Sequence, residues 1–179
     1  MNRQQGGFRL PWLAPDASRI ERLRVGVAAI AGLLLGGLTV DAPLAVLLVL
    51  ALVTAELCAG LVADLNPSGK RWRHRPGQGV VALFGFAALH LIHLGLFTWL
   101  LRASDPQHFI LAALFLLGGS TAVILSPPRL QRAFALVATF AALLALDQMI
   151  GTVREAAWFL PLLFARVLIA GLPAPEETA

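Results

Sequence analysis

Five ionisable side chains lie inside long apolar runs of this sequence: Glu56, His90, His93, Asp147 and Arg166. Charged groups at hydrocarbon depth are costly, so they point to function before anything else in such a chain. His90 and His93 are three residues apart, which puts both rings on one face of a helix. Three chemistries are open to them. The rings can be hydrogen-bonded packing elements between helices. They can form a proton-responsive set with Glu56 and Asp147. They can also ligate a metal or haem. A haem held by this pair alone is geometrically poor, because axial ligands approach iron from opposite sides and these two leave the same helix face. No recognisable ligand motif surrounds them, so the expectation is no cofactor, with haem or metal at His90 and His93 as the alternative.

Depth orders these groups further. At about 1.5 Å per helical residue, Glu56 lies roughly 10 Å and Arg166 roughly 9 Å from the inner edge of their runs. His90 falls near ~16 Å, and His93 and Asp147 near ~21 Å. The expected arrangement has two tiers, Glu56 with Arg166 below and His93 with Asp147 above, and His90 between them. Arg166 is also close enough to the inner edge to snorkel toward it.

The runs that must position these groups dominate the composition. Of 179 residues, 58% are hydrophobic and only 13% charged, with a mean hydropathy of +0.78. Soluble domains carry about 25% charged residues, and a bilayer absorbs such a chain where a water-soluble core could not. The net charge of +4 raises the question of nucleic acid, but the cations sit at the ends of apolar runs, which is a membrane-topology pattern. No nucleic-acid partner is expected. The single cysteine, Cys58, excludes an intrachain disulfide.

Six spans are expected, at about 25–40, 43–63, 79–101, 108–125, 133–150 and 156–172. Ser18 and Glu21 fit a capping box ahead of the first, and the N-terminal run is expected to be retained, not cleaved. Ala28, Gly32 and Gly36 recur every four residues, a small-residue stripe that lets helix backbones approach closely, here expected against the second span. The third span carries no glycine or proline break at His90, which counts against the discontinuous helices of a transporter. Residues 1–24, with Phe8, Leu10, Trp12 and Leu13 interleaved with Arg9 and Pro11, suit a headgroup boundary. Residues 173–179 read as a disordered polar tail.

Between the second and third spans lies a cationic loop, 64–78, with Lys70, Arg71, Arg73 and Arg75. These four are expected to meet anionic headgroups or an acidic partner. One side of the chain carries Arg3, Arg9, Arg19, Arg22, Arg24, the four loop cations, Arg129 and Arg132, and the other carries only Arg102 and Arg154. The positive-inside rule then puts both termini in the cytosol. The expected fold is all-α, a polytopic six-helix membrane bundle, N-in and C-in, in a bacterial inner membrane.

Two resemblances bear on function. Asp41 with Thr54, Ala55, Glu56 and Asp64 briefly resembles prokaryotic diacylglycerol kinases, but Ala59 and Ala63 stand where that family's motif has asparagine and glutamate, so the kinase reading fails. More broadly, residues 20–150 resemble the multi-helix N-terminal sensor regions of bacterial histidine kinases and diguanylate cyclases. The likeness rests on arginine-flanked hairpins, the basic loop, and the run Gly118, Gly119, Ser120, Thr121 to Pro127 and Pro128. Since the chain ends at Ala179, the resemblance implies a membrane module without an output domain, acting through another chain. The sequence presents no nucleophile with its base and no phosphate-cradling loop. The expected function is therefore a non-enzymatic sensory, accessory or scaffolding subunit. Its partners would be the lipid bilayer and other membrane proteins or further copies of itself. The alternatives are a small proton-coupled transporter, or a redox or metal protein using His90 and His93.

Overall fold

A computed structural model describes residues 13–175; Phe8, Arg9, Leu10, Pro11 and Trp12 of the expected interfacial segment, and the tail from 176, lie outside the described residues. Among the described residues the chain is helical, with no strand. The elements are α1 (Arg19–Leu38), α2 (Leu44–Leu65), α3 (Pro67–Arg73), α4 (Val80–Leu89), α5 (Leu91–Leu101), α6 (Pro106–Leu125), α7 (Gln131–Ile150) and α8 (Phe159–Phe164). A π-helical segment, Ala165–Gly171, continues α8 directly.

Four stretches are long and apolar enough to cross a membrane: α2, the joined run Val80–Leu101, α6, and Pro128–Ile150. Only 22% to 39% of each is buried inside the protein. Leu48, Leu52, Val81, Ile92, Leu114 and Phe140 accordingly project outward, a pattern suited to hydrocarbon surroundings. The first expected span forms α1 but begins six residues earlier, so Arg19, Glu21, Arg22 and Arg24 fall within its first turns. The last forms α8 and the π segment, and these are short individually. They make the centre of the bundle: Phe159, Leu163, Phe164, Val167 and Leu168 are fully enclosed by the other helices.

Local chemistry explains the junctions. Ser18 and Glu21 close the capping box on α1, and Glu21 also accepts the Ser68 N–H at the start of α3, 3.2 Å away. One carboxylate thus ties two helix N-termini together, and these backbone N–H groups hold its pKa at about 2. Thr54, Thr98 and Ser120 return their hydroxyls to carbonyls four residues back, which satisfies them where water is absent. The glycine stripe packs α1 on α2: a methyl group built on Gly32 would sit 2.5 Å from Thr54 O, and one on Gly36 2.5 Å from Leu50 O. Gly32 and Gly36 are buried and Ala28 is half-buried.

Three expectations change. The 64–78 loop contains a helix, α3, with Pro67 at its first position, where a missing N–H costs nothing. The tail begins docked, since Pro173 O accepts from Lys70 and Ala174 N–H donates to Gln131 Oε1 at 2.7 Å. The third span is interrupted at His90 despite having no glycine or proline there.

Candidate functional site

The interruption at His90 has a local cause. In a continuous helix its N–H would meet Phe86 O; instead the ring Nδ1 takes that carbonyl at 2.8 Å, and the N–H turns to Ala87 O at 3.2 Å. A carbonyl only accepts, so Nδ1 carries the hydrogen and the neutral ring keeps its lone pair on Nε2. His90 is 2% exposed, and its Nε2 has no hydrogen-bond partner.

His93 lies one turn further on, its ring stacked on that of His90 at 5.3 Å. Across from it, on α2, Glu56 places Oε2 3.0 Å from His93 Nε2. The two form an ion-pair contact, while His93 Nδ1 has no hydrogen-bond partner. One ligand atom from each of Glu56, His90 and His93 lies within 4.8 Å of the other two. The carboxylate and His93 are partly open, with side chains 30% and 17% exposed.

A second polar group lies toward the α3 side of the bundle. Asp64, near the end of α2, receives Arg166 of the π segment through Oδ2 and Arg73 of α3 through Oδ1, the latter at 2.8 Å. Asp64 and Arg166 are both buried. Gly60 makes the space: a methyl group there would run into the Arg166 guanidinium. Phe86 joins the two groups, with Arg73 3.7 Å and Arg166 5.0 Å from its ring centre and the His90 ring edge-on at 4.6 Å. Gly171 lets Phe86 lie against the π segment, since a methyl group there would strike its ring.

The expected tiers do not form. Arg166 pairs with Asp64, not Glu56, and its side chain reaches toward the inner edge but stops on a buried carboxylate. Asp147 bonds Thr152 at 2.6 Å, leaving His93 to Glu56. The second and sixth spans meet through Asp64 and not through Glu56 as expected, and Glu56 instead joins the second span to the third at His93.

The four loop cations are engaged within the fold. Lys70 donates to Ala170 O and Pro173 O, closing the end of the π segment. Arg71 pairs with Asp16 at 2.8 Å. Arg75 lies 3.8 Å over the Trp72 ring and donates to Trp72 O. Burial pushes the Lys70 ammonium down to about 8, opposed by Asp64 and assisted by Arg132 and Arg73. Burial also lowers His74, with Lys70 and Arg73 adding to the effect. A polar cavity of about 210 Å³ opens here, between Asp64, Trp72, Arg73, Arg75 and Gln78.

Sequence reasoning gave no site role to Asp64, Phe86 or His108. His108 is buried at the start of α6 and bonds Thr98 Oγ1 at 3.0 Å. Its only sequence signal is its place in the turn capped by Asp105.

Helices of membrane length with outward apolar faces, packed around an apolar core with buried polar clusters beside it, form the architecture of a multi-pass membrane protein. Compared with family models, curated proteins and solved structures, the chain matches none.

Proposed function

We propose that this chain is a non-enzymatic sensory subunit of a bacterial inner membrane, crossing it six times with both termini in the cytosol. The observation that carries the reading is the unbroken contact path from Glu56, His93 and His90 through Phe86 to Arg73, Asp64 and Arg166. A change of occupancy at the histidines reaches the α3 surface through that ring, where another protein chain reads it. The cavity beside Trp72 and Arg75 is the contact point for such a partner.

Two helical runs support six crossings. α1 has 20 residues, about 30 Å of helix, with its charges confined to one end. Turns from Arg154 to Gly171 extend α8 to a similar reach. Reporter fusions after Pro43, Asp105 and Thr152 should read as extracytoplasmic, and those after Gly69 and Pro128 as cytosolic. A cytosolic signal at Asp105 would remove the topology.

The sensory reading is tested by hydrogen exchange of the α3 amides in lipid nanodiscs. Glu56→Gln should alter their protection by ~5-fold or more, the low end of coupling between sites, and Phe86→Ala should abolish that response. Unchanged α3 protection in Glu56→Gln refutes the reading.

A further inference from the structure

We propose that Glu56, His90 and His93 bind a divalent transition-metal ion of the zinc class. The inference rests on the sensory reading only for its consequence, since binding itself is a property of these three side chains.

The first argument is hydrogen bonding. Buried polar atoms in folded proteins are almost always partnered, yet His90 Nε2 and His93 Nδ1 both lack a hydrogen bond, and Glu56 Oε2 has only its 3.0 Å ion-pair contact with His93 Nε2. The three residues lie together, with one ligand atom from each within 4.8 Å of the other two. Around a tetrahedral ion at 2.0–2.1 Å, such atoms stand ~3.3 Å apart, so modest side-chain closure completes the site. His90 is the anchor, being buried and held by its own helix.

The second is orientation. Histidines that hold metals characteristically donate their other ring N–H to a carbonyl or carboxylate, which fixes the tautomer. His90 does this through Nδ1 to Phe86 O. The same bond interrupts the helix, so the backbone is shaped around a ring that presents a bare Nε2.

The third is donor chemistry. Two imidazoles and one carboxylate suit zinc, iron, nickel or copper, whereas magnesium and calcium prefer oxygen sets. One carboxylate against a divalent ion leaves a single positive charge. The Arg73 and Arg166 guanidiniums near Phe86 are both committed to Asp64, which limits their repulsion of the ion. The partial exposure of Glu56 and His93 leaves a side for a fourth ligand. Haem is disfavoured, because rings stacked on one helix face cannot approach one iron from opposite sides.

The test uses the full-length protein in nanodiscs, stripped with a chelator and titrated with Co²⁺, then with Zn²⁺ in competition. Wild type should bind one equivalent of Co²⁺ with the visible bands of a four-coordinate ion, and Zn²⁺ should displace it. Glu56→Gln and His93→Gln should each weaken binding by ~10-fold or more, without altering the apo unfolding midpoint by more than a few degrees. His90→Gln should weaken it further; if that variant is unfolded, the other two decide. Absence of saturable binding, or binding unchanged in both Glu56→Gln and His93→Gln, overturns the proposal. Exchange at α3 separates the two readings. Metal binding with an unmoved α3 leaves the site standing and refutes sensing. An α3 response to Glu56→Gln in a protein that binds no metal refutes the metal alone.

Discussion

Asp64 is the residue on which the inner end of the bundle should depend most. It is 3% exposed and serves two guanidiniums, Arg166 at 2% exposure and Arg73 with its side chain 22% exposed. Asp64→Asn keeps the shape but removes the one carboxylate that, among the described residues, contacts both, and Arg166 is then buried without its contacting counter-ion. Breaking a buried pair from one side costs about 3–5 kcal/mol, or roughly 6–20 °C in midpoint for a chain of this size. Arg166→Met should cost less, about 1–3 kcal/mol, because Asp64 still holds Arg73 and the methionine fills much of the stem's volume. The double change should resemble Arg166→Met alone, since Arg73 can turn to solvent or headgroups. Thermal unfolding in detergent, followed by circular dichroism across the four proteins, gives the ranking. If Asp64→Asn is no worse than Arg166→Met, or if the double variant is as unstable as the two losses added, Asp64 is not the shared counter-ion argued here.

Two further perturbations address the α1 side. Gly36→Ala puts a methyl group against Leu50 O and Thr54 Oγ1, so α1 must retreat from α2 at a cost of about 1–3 kcal/mol. Gly26→Ala meets nothing within 4 Å and should be neutral or slightly stabilising, by up to ~1 kcal/mol; equal effects at both positions would refute the interface. At Glu21 the folded pKa is depressed to about 2 from 4.5. Its contribution is therefore full above pH ~4.5 and is lost as pH falls toward 2. Glu21→Gln should flatten that part of a stability-against-pH curve, and an unchanged acid limb would show that the carboxylate does not bridge α1 and α3.

Much of the scaffold was legible because it follows from rules local in sequence. Apolar runs located the helices, Ser18 and Glu21 fixed the start of the first, and the spacing of Gly32 and Gly36 named the face that meets α2. The loop helix α3 was less visible. Its seven residues are too few for periodicity, and Pro67 reads equally as a turn or as a helix start. The cationic loop showed its charge but not its partners, since Asp16, Trp72 and the carbonyls of Ala170 and Pro173 lie far apart in sequence or carry no distinguishing signal.

Polar pairing was the least legible part, and Arg166 shows why. Depth along a helix axis put it level with Glu56, but a long side chain is not confined to the depth of its own Cα. Its guanidinium extends toward the inner edge and finds Asp64, two helical turns beyond Glu56 on α2. The π-helical turns of its own segment also shift the register on which depth counting depends. His90 is the complementary case. Helix breaks are sought at glycine and proline, yet here an imidazole displaced its own backbone N–H from the carbonyl four residues back. That exchange follows from burial: a ring N–H without water takes the acceptor within reach, and the backbone N–H donates instead to Ala87 O, three residues back. Releasing Glu56 from Arg166 and turning His90 Nε2 away from the backbone have the same result. Both bring donor atoms of α2 and of the α4–α5 junction within 4.8 Å of one another, and two imidazoles beside a carboxylate are a set of ligands suited to a cation.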